Sequence, residues 1–358
     1  MNKMLLWLGS VFLAFLLAQC NSDNAKEKLL NHAMGIFPTG IEFERYPAPV
    51  DIFYEGGSLD FFLIQNNEWK VLDVLTGAKI NSGSIPQGFR NFHDVQIINS
   101  NSFILFYHDQ IAVWTSEGYQ FYSTDTIIPS DMLALNYFRK IVVKERESVI
   151  IPVMNTVNNS GKFLLEFNYK TGISKLLDFQ YPKSIKEGKK GVQKLWLTSF
   201  GSNVVVSFSL SDSIWILNLE NNNISSRIAT NSTVNVDLNY PDSLTKAEKR
   251  DLILYYSKHK DQFYKTFVNG ESIYRLVKKG LPENSKEKDS RLSGMEILHR
   301  ENGSNITEIH RLVNGQYFTQ NNWVFNQESK QFGYLKWFEK SHGKGYEIYI
   351  YTVDLLDF

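Results

Sequence analysis

The sequence predicts an all-β protein: a β-propeller of six small sheets with one inserted helix near 243–259. Three observations predict it. Runs with apolar side chains at alternate positions recur and each ends in a turn, as in FFLIQNNEWKVLDVLTGAKI, SFILFYHDQIAVWTSEGYQFYS and VVVSFSLSDSIWILNLENNNISS. A period of two places successive side chains on opposite faces of a strand. Aromatic residues make up 14% of the chain, with 25 Phe and 18 Tyr, and these fit a pleated, half-buried surface. Finally, the turns share a register. An apolar residue stands five positions before Gly or Asn at Leu72, Val113, Phe167, Leu217, Leu298 and Phe338, and Asp73, Asn168, Asn218 and His299 follow four of them. Gly or Asn belongs there because a tight hairpin needs positive φ, which a Cβ resists.

Six such turns at intervals of roughly 40–55 residues, with one interval of about 80, match the blade repeat of a propeller. The units read as 51–84, 92–126, 138–180, 192–229, 262–312 and 315–354. The long interval holds PDSLTKAEKRDLILYYSKHKDQF. Asp242 and Ser243 read as the cap, and Leu252, Ile253, Tyr255 and Tyr256 supply apolar positions, so a helix is expected between units. ENSKEKDSR, at 283–291, reads as a charged loop in the unit that follows. IEFERYP, at 41–47, is a spare strand expected to close the ring against YEIYIYTVD at 346–354. A pair of stacked β-sandwiches satisfies the same alternation, and seven blades stay open beside six.

The N terminus gives an address. Lys3 precedes an apolar stretch from Met4 to Ala18, and the chain's single cysteine, Cys20, follows Gln19. That is the layout of a secretory signal, with an apolar part short for a spanning helix. A cysteine directly after such a stretch resembles the bacterial lipoprotein box, although Gln19 stands where Gly, Ala or Ser is usual. The resemblance implies cleavage before Cys20, a diacylglycerol on its thiol, and acylation of the new amino group. Two or more chains anchor stably where one binds marginally. The expected organisation is a signal at 1–19, a lipidated cysteine and flexible tether at 20–40, and one propeller domain at 41–358. With one cysteine no intramolecular disulfide is possible, so the core alone must hold the fold.

Together the lipoprotein start, YYSKHKDQFYKTF, GMEILHRENGSNITEIHRL and the closing aromatic strands resemble a family of Bacteroidota lipoproteins known as domain of unknown function 4221. The resemblance implies a propeller at the outer membrane and supplies no catalytic residues.

Chemistry is sparse. Lys plus Arg equals Asp plus Glu at 38 each, which argues against a nucleic-acid partner. There is no phosphate-cradling glycine loop, no nucleophile elbow and no zinc-ligand spacing, so no catalytic residue, cofactor or metal ligand is assigned. His93-Asp94 and His108-Asp109 come nearest to a constellation, and His299 and His310 are expected to face each other across one hairpin; turn chemistry and cross-strand packing are the plainer roles. Trp69, Trp114, Trp215 and Trp337 recur near the third strand of their units, as packing between blades would place them. Asp125-Thr126-Ile127, Asp212-Ser213-Ile214 and Asp242-Ser243-Leu244 resemble the short O-glycosylation acceptor of Bacteroidota, at Thr126, Ser213 and Ser243. The expected function is a lipid-anchored binding or scaffold module of the cell envelope, at the outer membrane, for a protein, peptide or glycan, with no biochemical activity assigned. The alternative is a propeller enzyme acting on glycans or lactones, with carboxylates near a central channel.

Overall fold

Each alternating run becomes a strand, and the strands gather into six sheets in chain order. The computed structural model describes residues 27–29, 36–43, 50–86, 92–135, 139–156, 163–180, 194–228, 244–286, 295–300, 307–312, 318–339 and 346–354. Sheet I holds Val50–Glu55, Ser58–Gln65, Glu68–Asp73 and Lys79–Ser84, and sheet II holds Asp94–Asn99, Ser102–Phe106, Gln110–Thr115 and Gly118–Ser123. In sheet III, Met132–Ala134 and Ile141–Val143 both pair with Ser148–Asn155, which leads to Leu164–Asn168 and Ser174–Leu176. Sheet IV holds Leu195–Phe200, Asn203–Phe208, Ser213–Asn218 and Ile224–Ile228. Sheet V runs through Gln262–Asn269, Ser272–Lys278, Met295–Arg300 and Thr307–Leu312, and sheet VI through Phe318–Asn326, Gln331–Glu339 and Tyr346–Asp354.

Two N-terminal segments complete the last two sheets. Ile36–Phe43 pairs antiparallel with Tyr346–Asp354, and Glu27–Leu29 pairs parallel with Thr307–Leu312. The strand expected to pair with the last one therefore exists, but it begins at Ile36, within the stretch expected to be tether, and shares only residues 41–43 with IEFERYP. Pro38 and Gly40 read as breakers in the sequence. On an edge strand they are tolerated, and the register shifts between Pro38 and Glu42 as a bulge.

The repeated turn register has a direct physical cause. After the apolar residue, the Asp or Asn side chain folds over the turn: Asp73 Oδ1 accepts from the Thr76 amide at 2.6 Å, Asn168 Oδ1 from Thr171 at 2.8 Å, and Asn218 Oδ1 from Glu220 at 2.9 Å. This Asx geometry delivers the chain to Gly77, Gly172 and Asn222, whose φ values of 68°, 74° and 55° are left-handed. The corresponding Gly303 and Gly343 lie outside the described residues.

The inserted helix is present between sheets IV and V as α1, Lys246–His259. Its cap differs from the expectation. Thr245, not Asp242 or Ser243, caps it, in a reciprocal box with Glu248, and 242–243 lie outside the described residues. The Thr-x-x-Glu spacing is the stronger signal because it satisfies two orphan amides at once. The helix is anchored by its C-terminal turn, where Lys278 donates to the Ser257 carbonyl and Gln262 Nε2 donates to the Tyr256 carbonyl at 2.9 Å.

Apolar clusters bridge each sheet to the next. Trp69 and Phe62 of sheet I meet Phe103 of sheet II, and Val113 of sheet II meets Val149 and Phe167 of sheet III. Sheets III and IV share Phe163, Phe179, Val206 and Phe208. Sheets IV and V share Val205, Ile214, Val268 and Ile273, and Trp196 of sheet IV packs edge-on to Tyr264 of sheet V at 4.9 Å. Tyr264 and Tyr274 of sheet V pack on Trp323 and Phe332 of sheet VI. Ile348 and Ile350 of sheet VI then pack on Ile52 and Phe61 of sheet I. At roughly 1.5–3 kcal/mol per fully buried large side chain, every seam carries a substantial share of the stability.

One buried carboxylate works against that stability. Asp60 is 3% exposed, sits directly opposite Asp73 in the ladder, and has Oδ1 buried without a hydrogen-bond partner. Burial, then Glu55 and Asp73, push its pKa up to about 6 from 3.8. The folded state holds a proton between these values that the unfolded state has released. Stability therefore falls as pH rises from about 4 to about 6. Asp60→Asn is expected to unfold at a higher temperature than the parent at pH 8, by about 1–2 kcal/mol of stability, with the gap closing by pH 4. Parallel melts at the two pH values check this; an equal gap at both would contradict it.

Candidate functional site

One strand of every sheet lines a cavity of about 550 Å³: the first of each unit, except in sheet III, where it is Ile141–Val143. Asp51, Gln96, Lys140, Thr198, Lys265 and Trp323 come from sheets I to VI in turn, either within the lining strand or at its entry. The first turns, including Gly56-Gly57, Lys144-Glu145 and Gln327-Glu328, form its rim. Tyr54, Phe267 and Phe325 supply aromatic wall. The position follows from the packing: the lining strand of each sheet meets those of its neighbours, and sheet VI meets sheet I in the same way.

Charge is concentrated in a buried layer. Arg139 forms an ion pair with Asp51, and burial holds its guanidinium down at about 10. Lys140 Nζ lies 3.7 Å from Asp94 and 5.2 Å from the centre of the Phe106 ring, while its amide donates to Asp94 Oδ2 at 3.3 Å. Burial lowers the Lys140 pKa and raises that of Asp94, each opposed by the partner's charge. Lys265 donates to the Trp323 carbonyl at 3.0 Å. Burial, reinforced by Arg139, pushes its pKa well below the ordinary lysine value, and Asp94 opposes the shift. Such a layer can recognise charge by preorganised groups in low dielectric.

The residues singled out in the sequence lie elsewhere. Cys20 and Ser243 are outside the described residues. Thr126 is exposed on the single helical turn 124–127, and its hydroxyl donates to the Ser123 carbonyl at 2.8 Å. Ser213 is half-buried at the start of its strand, where its amide donates to Ser211 Oγ at 3.2 Å. His93 and His108 do come together, with ring centres 5.6 Å apart, but Asp94 is turned to Lys140 and Asp109 is exposed. His299 and His310 do not face each other. His299 stands opposite Glu308 and His310 opposite Ile297, a diagonal offset set by the hairpin register. His299 instead stacks on Tyr274 at 4.5 Å.

The tryptophans serve packing, as expected. Trp69 is 5.7 Å from Trp114 and 5.2 Å from Phe103 across the sheet I–II seam, and Trp215 packs edge-on to Phe179 at 6.5 Å across the sheet III–IV seam. The Trp337 side chain lies outside the described residues. Sequence reasoning missed Arg139, Lys140 and Lys265. Their signal was a cation set inside an apolar run, in YFRKIVV and FYKTF, where a surface strand would alternate. Among the described residues no three His, Cys, Asp or Glu side chains converge as metal ligands, and no helix is long and apolar enough to cross a membrane.

No family model matches this sequence, and no curated protein does. Solved structures do match in fold. A member of the domain of unknown function 4221 family from Bacteroides vulgatus aligns with a TM-score of 0.62 at 10% identity, covering 91% of this chain and 98% of that one. An exported protein from Bacteroides fragilis aligns with a TM-score of 0.52 at 11% identity, covering 90% and 95%. A β-propeller domain from Myceliophteria thermophila aligns at 7% identity and a TM-score of 0.41, covering 86% and 98%. The family resemblance drawn from the sequence is thus met by a family member of the same fold. At these identities the likeness speaks for architecture and not for activity.

Proposed function

We propose that the six sheets are the blades of one closed propeller, that Cys20 anchors it by lipid in the cell envelope at the outer membrane, and that the axial cavity is the binding site of a non-enzymatic recognition module. Its partner is a protein, peptide or glycan that inserts a terminal group. One observation carries this reading: one cavity is lined by a strand from each of the six sheets, with polar side chains converging on it from separate sheets. Ligand sites favour such mouths, where rigid strands hold side chains contributed from far apart in sequence. Packing of sheet VI on sheet I, and of Ile36–Phe43 on the last strand, supports closure. Asp51 on the cavity wall pairs with Arg139, and Asp94 behind the wall stands beside Lys140, while Glu145 and Glu328 sit at the first turns; the paired inner carboxylates suit recognition better than the free acid and base of a glycosidase.

Photo-crosslinking in intact cells tests this role. A crosslinker at Gly57 or Gln327 on the rim is expected to capture one common species that a crosslinker at exposed Leu254 on α1 does not. The same pattern from all three positions, or no species from the rim, contradicts it. For the anchor, Cys20→Ser is expected to abolish lipid labelling and move the protein out of the membrane fraction. Labelling that persists in this variant would overturn the lipoprotein reading.

A further inference from the structure

We infer that the domain lies on the membrane with the end that carries the cavity rim, and that exposed apolar side chains on the hairpins of that end insert into the bilayer interface. This rests on the closed, lipid-anchored reading proposed above, and adds which surface meets the lipid.

Chain direction fixes the end from which the anchor arrives. In sheet V, Gln262–Asn269 runs towards its first turn, Ser272–Lys278 away, Met295–Arg300 back towards that end, and Thr307–Leu312 away again. Glu27–Leu29 lies parallel to Thr307–Leu312, with Glu27 opposite Ile309, so the chain before Glu27 comes from the first-turn end. Only residues 21–26 separate Glu27 from Cys20. The steps from Cys20 to Glu27 span at most about 25 Å, so acyl chains on Cys20 leave the domain close to its surface.

The same end carries the third turns, because successive strands alternate in direction. Their place beside the first turns is direct: at 3.1 Å each, the Val74 amide donates to the Leu59 carbonyl, Tyr169 to Glu147, and Leu219 to Ser202. Three of these third turns hold out a large apolar side chain. Leu75 is 69% exposed within the turn of sheet I, Ile173 is 67% exposed just after Gly172 in sheet III, and Ile224 is 46% exposed where the last strand of sheet IV begins. Turns of this kind ordinarily carry Gly, Asn, Asp or Ser.

A lone exposed leucine needs no explanation, but these stand at one end of three sheets. In a six-sheet ring, sheets I and IV are opposite each other and sheet III lies between them, while the anchored chain arrives at sheet V. That spread seats the disc flat. Leu133 and Leu254, also exposed, lie at the far end from the arriving chain. Lys79, Glu117, Lys170 and Glu220 are all exposed at the third turns, so both signs of charge face the lipid. The contact is therefore made by apolar insertion, which adds its buried area to that of the acyl chains, rather than by attraction to anionic headgroups. The cavity rim is at this end too, so the cavity opens towards the bilayer and takes a group presented there.

Site-specific labelling of the lipidated protein tests this, because acylation of Cys20 leaves no other thiol in the chain. Leu75→Cys, Ile173→Cys, Ile224→Cys and Leu254→Cys, each carrying a fluorophore, are reconstituted on phosphatidylcholine vesicles with and without a nitroxide on the acyl chains. Labels at 75, 173 and 224 are expected to be quenched about threefold or more strongly than the label at 254. Equal quenching at all four positions, or the strongest at 254, would overturn the seating while leaving the anchor. Leu75→Asp with Ile173→Asp is expected to at least halve the quenching at 224 with an unchanged melting temperature; unchanged quenching would overturn the insertion. A protein that leaves the vesicles and carries no lipid on Cys20 would sink the anchor and the seating together.

Discussion

Arg275→Ala is expected to cost about 3–5 kcal/mol of folding stability, the scale of stripping one partner from a buried charged network. Arg275 is 1% exposed on sheet V. Its guanidinium donates to the main-chain carbonyls of Phe208, Ser211 and Asp212, all at the second turn of sheet IV, and its plane lies 3.4 Å from the Phe263 ring centre. Burial pushes its pKa down to about 9, opposed by Asp212, whose own pKa burial pushes up. The clamp ties sheet V to the second turn of sheet IV, where three carbonyls share one buried donor. Removal leaves three carbonyls without this donor and Asp212 without its cation. Arg275→Lys is expected to recover less than half of the loss, because an ammonium cannot stack and fork at once. Urea unfolding of the three proteins checks this. A loss below about 1 kcal/mol for alanine would show that the seam does not depend on the clamp.

That clamp also marks how far the sequence could be read. The blade-like units were legible because hairpin turns have local chemistry. Asp73, Asn168 and Asn218 act on amides two or three residues away, so they leave a spacing that repeats. The first strands were legible as strands but not as a site. Lys265 and Arg139 are 126 positions apart and line the same cavity only because sheets III and V each turn one strand to it. No local pattern encodes that meeting. Arg275 sits in SIYRLVK, buried at every position, where an alternating pattern would give arginine a solvent face. The closing strand was half legible. Its pairing partner was inferred correctly, but Pro38 and Gly40 hid its start because their tolerance depends on being at an edge.

Deleting residues through Phe43 is expected to cost on the order of 3–5 kcal/mol, at about 1 kcal/mol for each ladder hydrogen bond lost. Ile36–Phe43 is the edge of sheet VI, paired from Ile36 opposite Tyr351 to Phe43 opposite Tyr346. Its removal would bare Tyr346–Asp354, and an exposed long edge invites association with a second copy. Deletion through residue 26 is expected to be nearly neutral, because the first described pairing begins at Glu27. Thermal melts and light scattering of the two truncations check both points. Equal melting temperatures would mean that the N-terminal strand contributes nothing to the last sheet.

Closure of the ring is tested most directly at the seam between the first and last sheets. Tyr54 on sheet I donates from its hydroxyl to Gln331 Oε1 on sheet VI at 2.8 Å, although the two residues are 277 positions apart. In a Cys20→Ser background, Tyr54→Cys with Gln331→Cys treated with a short bismaleimide is expected to form an intramolecular crosslink in the native monomer. The same pair in urea should form little, and a Tyr54→Cys, Leu254→Cys pair little in either state. Mass spectrometry of the digested monomer reads the result. A native protein in which 54 and 331 do not crosslink would leave the sheets as an open stack, with no axial cavity to bind anything.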